Sequence, residues 1–285
     1  MPFPDDSCTD PTPDCPGAPE PIDPLLEEPE DEALNVETPD ALPRPELVLF
    51  DMDDTLVITR KVKWEQHQYV AKHEFGIDLA EETLHEHWGK PFGPMLELLY
   101  EQAAPQDVLI STYRKYHDQY PKLEQPGGVA AVTALLDAGV KVGVLTSMIS
   151  EVAIPDLKRI GFPVERFECV LGADHSEFHK PDPRVFDEVL APYRDSSATD
   201  SAGASEDASA APSAGASTTT SDLASRVVYV GDALMDEAAA QGAGIGFVAV
   251  TTGLVEADGF AAGVPVFPGV AEACQALLGD TPSAE

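Results

Sequence analysis

The sequence has few basic residues, few cysteines and no long apolar run. Only 17 of its 285 residues are Lys or Arg, against 51 Asp or Glu, which gives a formal net charge of −34 at pH 7. A chain this acidic repels nucleic acid and anionic membranes, so neither is expected as a partner. Because no apolar run reaches about 18 residues, no transmembrane helix is expected either.

Cysteine is also scarce. The four cysteines are Cys8, Cys15, Cys169 and Cys274, and none belongs to a CxxC pair. Neither a zinc site nor a disulfide framework is therefore expected. The first ten residues, MPFPDDSCTD, contain no basic n-region and no apolar h-region. No signal peptide is expected, and the protein is predicted to be cytoplasmic.

The acidity is spread along the chain. Residues 1–45 contain 13 acidic residues and one basic residue, Arg44, so they carry −12 and leave −22 on the rest. One interpretation is a partner with a basic surface. The interpretation that we favour is a salt-adapted, halophilic cytoplasm, where high net charge keeps proteins soluble. The presence of only nine lysines agrees with it.

Two segments have a composition that is unsuited to a packed core. Residues 1–45 are rich in Pro, Asp and Glu and are predicted to form a disordered acidic tail. Residues 195–225 consist almost entirely of Ser, Ala, Thr, Gly and Asp. They are predicted to form a flexible insert within the folded domain.

Strand and helix patterns alternate through most of the remaining chain. Continuous apolar runs, typical of strands that are buried on both faces, occur at 46–50, 140–147, 167–173, 226–232 and 245–250. Helical patterns occur at 127–139, about 150–160, about 183–191 and 233–242. This alternation predicts an α/β fold, a Rossmann-like doubly wound parallel sheet, with its core domain at 46–59 and 123–278.

One interval interrupts the alternation. Residues 60–122 contain no good strand pattern. They instead show several helical patterns, which Gly and Pro residues separate. We expect a small helical cap domain, inserted directly after the first strand and its acidic loop.

Polar side chains follow four of the predicted strands. They are Asp51 and Asp53 in DMDDT, Thr146 with Ser147, Lys180 in HKPDP, and Asp232 with Asp236 in GDALMD. The carboxyl ends of parallel strands form one ligand-binding edge, so these groups are expected to share a crevice. Carboxylates there would repel each other unless a cation lay between them, and oxygen ligands suit Mg²⁺. The lysine and the hydroxyl groups are suited to bind a phosphate.

The order of these motifs resembles that of the haloacid dehalogenase-like hydrolases. That family has DxDxT, a Thr or Ser after the second core strand, a Lys, and then GDxxxD; here the chain has Asp51 to Thr55, Thr146, Lys180, and Gly231 to Asp236. The resemblance spans about Leu47 to Pro268. Lys180 and Asp232 lie 52 positions apart. Without the 31 residues of the predicted insert, their separation would be 21 positions.

The resemblance implies a Mg²⁺-dependent phosphatase with an aspartate nucleophile. Asp51 would attack phosphorus, and Asp53 would act as general acid and then general base. Mg²⁺ would bind Asp51, the backbone carbonyl of Asp53, and Asp232. The phosphoryl group would be held by Thr146, Ser147 and Lys180. Asp236 would orient Lys180 or a metal-bound water.

Two features near these motifs have more than one interpretation. Asp54 stands where the family often has glycine. It is either a fourth acid near the metal or, in the interpretation that we favour, a solvent-facing turn residue. The loop at 87–96 either faces the crevice, where Trp88 and Lys90 would contact the leaving group, or is an ordinary turn between helices.

The lead hypothesis is a phosphatase for a small phosphorylated metabolite, similar to phosphoglycolate phosphatases. Dehalogenases do not need the second aspartate of the first motif, so the presence of Asp53 disfavours a carbon–halogen substrate. A sugar phosphomutase of the same family and a non-catalytic binding or regulatory protein on this fold both stay open. The sequence does not indicate the oligomeric state.

Overall fold

The computed structural model describes residues 42–90, 92–195 and 219–279. The predicted acidic tail lies outside the described residues except for its last four positions, and residues 196–218 of the predicted insert also lie outside them. Among the described residues, every helix is too short or too polar to span a bilayer.

Eight strands and ten α-helices are described. In chain order the strands are β1 (Leu47–Phe50), β2 (Val57–Ile58), β3 (Leu123–Glu124), β4 (Lys141–Leu145), β5 (Cys169–Leu171), β6 (Val227–Gly231), β7 (Gly246–Val250) and β8 (Val266–Phe267). The helices are α1 (Arg60–Phe75), α2 (Glu81–His87), α3 (Phe92–Leu99), α4 (Gln106–Arg114), α5 (Gly128–Asp137), α6 (Ser150–Ile160), α7 (Asp187–Asp195), α8 (Thr219–Arg226), α9 (Leu234–Ala243) and α10 (Val270–Leu278).

Six strands form one parallel sheet in the order β5-β4-β1-β6-β7-β8. The central strand β1 is fully buried because helices cover both faces of the sheet. Val48 and Phe50 pack into the core on one face, with α5, α6 and α10. Leu47 and Leu49 pack on the other face, with α7 and α9. This arrangement explains the continuous apolar runs and confirms the predicted α/β, Rossmann-like fold.

Helices α1 to α4, which lie between β2 and β3 in the chain, form a separate hydrophobic core. Its largest members are Trp64, Tyr100 and Tyr113. Two chain connections join these helices to the sheet, and they pair with each other as the antiparallel ribbon β2–β3. The helical pattern at 60–122 thus corresponds to four α-helices and a short 3₁₀ turn at His117–Gln119.

The structure differs from the sequence prediction in three strands, in one helix and at the two ends of the insert. The strands β2, β3 and β8 were not predicted, because a two-residue strand has no recognisable periodicity. The helix predicted at 183–191 is a 3₁₀ turn at Pro183–Phe186 followed by α7. Helix α7 extends to Asp195 and α8 begins at Thr219, so both ends of the predicted insert at 195–225 fall within helices.

Candidate active site

The strand order brings the predicted site residues to one edge of the sheet. The chain runs from β1 outward to β4 and β5 on one side, then returns to β6 beside β1 and continues outward to β7 and β8 on the other side. Ligands bind at such a reversal point, beyond the carboxyl ends of the strands. Asp51 follows β1, Thr146 follows β4 and Asp232 follows β6, so all three lie at this edge.

Asp51 is buried, and its position is fixed by the neighbouring strand. Its backbone amide donates to the carbonyl of Val230 at 2.8 Å, and its Oδ1 accepts a hydrogen bond from Lys180 Nζ at 2.5 Å. Burial raises the pKa of Asp51 to about 7, because Lys180 only partly offsets the loss of water and the charges of Asp236 and Asp53. Lys180 alone therefore does not balance the burial of Asp51 and the negative charges around it.

Three buried carboxylates meet at this point. Asp51, Asp232 and Asp236 each offer an oxygen within 4.8 Å of the others. Thr55 Oγ1 donates to Asp232 Oδ1 at 3.1 Å. Burial, and then repulsion from Asp51 and Asp236, raises the pKa of Asp232 to about 8. Buried acids arranged in this way fit a hard divalent cation, which prefers oxygen ligands.

The predicted third ligand, the backbone carbonyl of Asp53, is available. Among the described residues, no backbone amide donates to this oxygen. Asp236 is less available, because its Oδ1 accepts from Lys180 Nζ at 2.7 Å and its Oδ2 from the amide of Ala233 at 3.1 Å. The donors therefore fit the predicted metal ligands: Asp51, the carbonyl of Asp53, and Asp232.

Lys180 is held between acidic groups and a tyrosine. Its Nζ contacts Asp51, Asp236 and, at 3.0 Å, the hydroxyl of Tyr229. That hydroxyl in turn donates to the carbonyl of Leu145 at 3.0 Å. Burial alone would lower the pKa of Lys180, but Asp51, Tyr229 and Asp236 outweigh burial and raise it well above its usual value. Lys180 is therefore a permanent positive charge beside Asp51.

Thr146, Ser147 and Lys180 line a common cavity of about 500 Å³. Thr146 is buried, and its amide donates to the carbonyl of Leu171 at 2.9 Å. Its Oγ1 accepts from the amide of Met148 at 3.1 Å, which orients the hydroxyl group. The structure thus brings together the three residues that were predicted to bind a phosphoryl group.

Asp53 is held by residues from both connections to the helical cap. Thr59 Oγ1 donates to Asp53 Oδ1 at 2.5 Å, and Lys122 Nζ forms a salt bridge with the same oxygen. Thr59 directly precedes α1, and Lys122 directly precedes β3. Neither residue was singled out in the sequence.

The prediction that Asp54 faces solvent is wrong. Asp54 is only 7% exposed and has a positive φ of 60°. Its Oδ1 accepts from the amides of Thr59 at 3.0 Å and Arg60 at 2.8 Å. The loop turns back so that this carboxylate covers the amino-terminal end of α1, where backbone amides lack helical partners.

A second, larger cavity lies between the helical cap and the carboxyl edge of the sheet. Its volume is about 710 Å³, and Asp51, Asp53 and Asp232 line its floor. Trp88 and Lys90 of the predicted crevice loop line it as well. The position of these two residues agrees with the interpretation in which the loop faces the crevice.

Three site residues were not predicted from the sequence, each for a different reason. Thr55 belongs to the quoted DxDxT motif, and its link to Asp232 follows from the pairing of β1 with β6. Tyr229 lies two residues before Gly231, on the strand that ends in GD, and a polar group in a buried strand was the available indication. Lys122 carried no indication, because Asp53 lies 69 positions away.

Comparison with known proteins identifies the class. The family model for haloacid dehalogenase-like hydrolases matches residues 48–250. The match covers most of the chain and includes every candidate site residue named above. The chain belongs to the haloacid dehalogenase-like hydrolase family.

Curated relatives of the chain include enzymes that act on phosphate compounds. The pyrophosphatase PpaX of Halalkalibacterium halodurans is 29% identical over 152 residues, which are 50% of this chain and 66% of that protein. A phosphorylated carbohydrates phosphatase of Thermotoga maritima is 26% identical over 151 residues, 51% of this chain and 69% of that protein. The chain thus spans only about two thirds of the length of these relatives.

Solved structures of low sequence identity share the fold. A candidate β-phosphoglucomutase from Thermotoga maritima has a TM-score of 0.64 at 21% identity, over 82% of this chain and 98% of that one. CbbY from Rhodobacter sphaeroides was crystallised in complex with phosphate. Its TM-score is 0.53 at 18% identity, over 80% of this chain and 96% of that one. At these identities the similarity concerns the fold alone.

Proposed function

We propose that this chain is a divalent-metal-dependent phosphatase that hydrolyses a small phosphate ester through an aspartyl-phosphate on Asp51. The observation that supports it best is the set of three buried carboxylates beside one buried lysine, at the reversal point of the sheet. The fold alone does not require such costly buried charges, and a pure binding scaffold would not need them.

Asp51 is the proposed nucleophile. Its carboxylate would attack phosphorus while the ester bond to the leaving oxygen breaks, which leaves the phosphoryl group on Asp51. Lys180, 2.5 Å from Asp51 Oδ1, is suited to neutralise the phosphoryl oxygens during this transfer. Thr146 and Ser147 line the same cavity and would donate hydrogen bonds to those oxygens.

Asp53 is the proposed general acid and base. It lies two residues after Asp51 and lines the larger cavity between cap and sheet. It would donate a proton to the leaving oxygen, and later accept one from the water that hydrolyses the aspartyl-phosphate.

We assign the cation as Mg²⁺, held by Asp51, the carbonyl of Asp53, and Asp232. The cation would neutralise the charge that accumulates between Asp51 and the phosphoryl group. Asp236 would act on Lys180, whose Nζ lies 2.7 Å from its Oδ1. The relatives named above suggest inorganic pyrophosphate and sugar phosphates as first substrates to try.

Hydrolysis of 4-nitrophenyl phosphate in molar KCl, with Mg²⁺ or with EDTA, tests the proposal. Wild-type protein should release phosphate only with Mg²⁺, and Asp51→Asn should reduce kcat by roughly 10⁴-fold or more because the nucleophile is lost. Asp137→Asn is the matched control, since Asp137 pairs with Arg166 on the surface and should leave the rate unchanged.

The alternatives give different results. A phosphomutase would interconvert sugar phosphate isomers and release little inorganic phosphate. A non-catalytic protein would release none from any ester, with or without Mg²⁺. Folded wild-type protein that is inactive on a panel of phosphate esters, including pyrophosphate, would overturn the proposal.

A further inference from the structure

The connection between the cap and the sheet is a two-stranded ribbon. β2 and β3 are antiparallel, with Val57 opposite Glu124 and Ile58 opposite Leu123. The ribbon leads directly to Thr59 on one strand and to Lys122 on the other. The pairing therefore keeps these two side chains side by side, at the entrance to the cap.

Both side chains converge on one oxygen of Asp53. Thr59 Oγ1 and Lys122 Nζ both contact Oδ1. Among the described residues, no donor contacts Oδ2. The two contacts fix the rotation of the carboxyl group, and Oδ2 is then the oxygen left to exchange a proton.

Lys122 is itself held firmly in place. Its side chain is 4% exposed, and its carbonyl accepts from Arg159 on α6 at 2.9 Å. The nearby carbonyl of Tyr120 accepts from Lys63 on α1 at 2.7 Å. A lysine that is buried and anchored from both the core and the cap has already lost most of its rotamer freedom, so its contact with Asp53 costs little further entropy.

We propose that Lys122 is a positioning residue for Asp53, an assignment that rests on the proposed phosphatase function. Lys122 is assigned no contact with the phosphoryl group or the cation, because its Nζ contacts Asp53 Oδ1. It holds Oδ1 so that Oδ2 points at the leaving oxygen, and proton donation loses efficiency when this hold is released. Because Lys122 lies at the end of the ribbon, the orientation of Asp53 also depends on the attachment of the cap.

A pair of esters that differ in their need for a proton provides the test. Nitrophenolate leaves readily without protonation, whereas phenolate from phenyl phosphate depends more strongly on a general acid. The value of kcat/KM reports the step that transfers phosphorus to Asp51, so later hydrolysis does not mask the effect. Lys122→Met should lower kcat/KM about 100-fold for phenyl phosphate and less than about 10-fold for 4-nitrophenyl phosphate.

Two further variants make the test specific. Lys122→Arg keeps a cationic donor and should restore most of the rate on phenyl phosphate. Lys63→Met removes another buried lysine of the same cavity, one that contacts Gln66 and Tyr120 instead of Asp53. Any loss in that variant should be equal for both esters. If Lys122→Met fails to fold, Lys122→Gln removes the charge at lower steric cost and should show the same selective loss.

The outcomes separate the two proposals. Suppose that the wild-type protein is active and that the Lys122 variants lose activity equally on both esters, or lose none. This result would overturn the role of Lys122 and would leave the proposed phosphatase function intact. Wild-type protein that hydrolyses neither ester nor any other phosphate would overturn the function, and the assignment of Lys122 with it.

Discussion

At the residue scale, the candidate site has a charge balance that suits a divalent cation. Asp51, Asp232 and Asp236 bring three negative charges when ionised, and Lys180 supplies one positive charge. A charge of about −2 is left in a buried place, and one divalent cation would cancel it. Burial, and then this imbalance of charge, raises the pKa values of Asp51 and Asp232.

The first prediction concerns stability, pH and Mg²⁺. Burial raises the pKa of Asp51 to about 7 and that of Asp232 to about 8, from an ordinary 3.8. A group whose pKa is raised in the folded state binds protons more tightly there, so it stabilises the metal-free fold at low pH. That contribution is lost as pH rises through about 7 to 8. Mg²⁺ binds the ionised carboxylates, so the Mg²⁺-induced rise in Tm should be larger at pH 8 than at about pH 6.

Thermal melts in constant molar KCl, with EDTA or with Mg²⁺, measure this difference. Asp232→Asn is the control, because Asn keeps the acceptor for Thr55 and removes the charge. The variant should show little Mg²⁺ effect at either pH, and without metal it should melt above the wild-type protein at pH 8. A Mg²⁺ effect of equal size at both pH values would contradict the predicted site.

At the element scale, Asp54 links the acidic loop to the first cap helix. It stands at a positive φ, where most side chains are strained, and yet its carboxylate accepts two amides at the start of α1. Its carbonyl also accepts from Gln125 Nε2 at 3.1 Å, next to β3. One residue thus joins α1, the ribbon and the nucleophile loop.

We therefore predict that Asp54→Ala destabilises the protein more than Asp54→Gly does. Both variants lose the helix cap, which costs about 1–2 kcal/mol, and Ala adds roughly 1 kcal/mol because its Cβ disfavours positive φ. Asp54→Asn keeps an oxygen acceptor and should lie closest to the wild-type protein. Urea unfolding with a two-state fit gives the free energies. Equal stability of the Ala and Gly variants would show that backbone strain at this position is unimportant.

Helix and strand boundaries could be predicted well where a local feature of the sequence ends the element. Helix α1 fills the predicted stretch because Gly76, at a φ of 72°, ends it. The long apolar strands were found because both faces are buried. The ribbon β2–β3 was missed because it depends on pairing across more than 60 positions, which no local pattern indicates. Helix α8 was missed because a Ser- and Thr-rich composition favours a linker over a helix.

The residues of the candidate site also differ in whether the sequence alone could predict them. Residues in ordered motifs at strand ends, such as Asp51 and Asp232, could be predicted because the topology of a parallel sheet brings them together. Lys122 could not be predicted, because its role depends on how the chain that leaves the cap packs against the sheet domain. The burial of Asp54 could not, because a turn residue is ordinarily exposed, and only the backbone path shows that it covers a helix terminus.

At the scale of the whole molecule, the cavity between cap and sheet combines basic residues with acidic ones. Five of the 17 Lys and Arg residues line the cavity between cap and sheet: Lys63, Lys90, Arg114, Lys122 and Lys180. The net charge of −34 repels a phosphate ester at long range. Six aspartates line the same cavity, so the five basic residues attract an anion there only once the proposed cation offsets the carboxylates. Salt screens the long-range repulsion more strongly than it screens the short contacts within the cavity.

The last prediction follows from this charge distribution. Raising KCl from about 0.1 M to 1 M shortens the Debye length from about 10 Å to 3 Å. The free energy of unfolding should therefore increase with KCl, and so should kcat/KM for an anionic ester until the cavity itself is screened. Removing residues 1–41 changes the net charge only from −34 to −21, so most of the salt dependence should persist. Urea unfolding and initial rates over a KCl series measure both effects, with isosmotic sucrose as the control for excluded volume. Salt-independent stability of the full chain would contradict the halophilic interpretation of its acidity, because self-repulsion among 51 acidic residues would then not limit the fold.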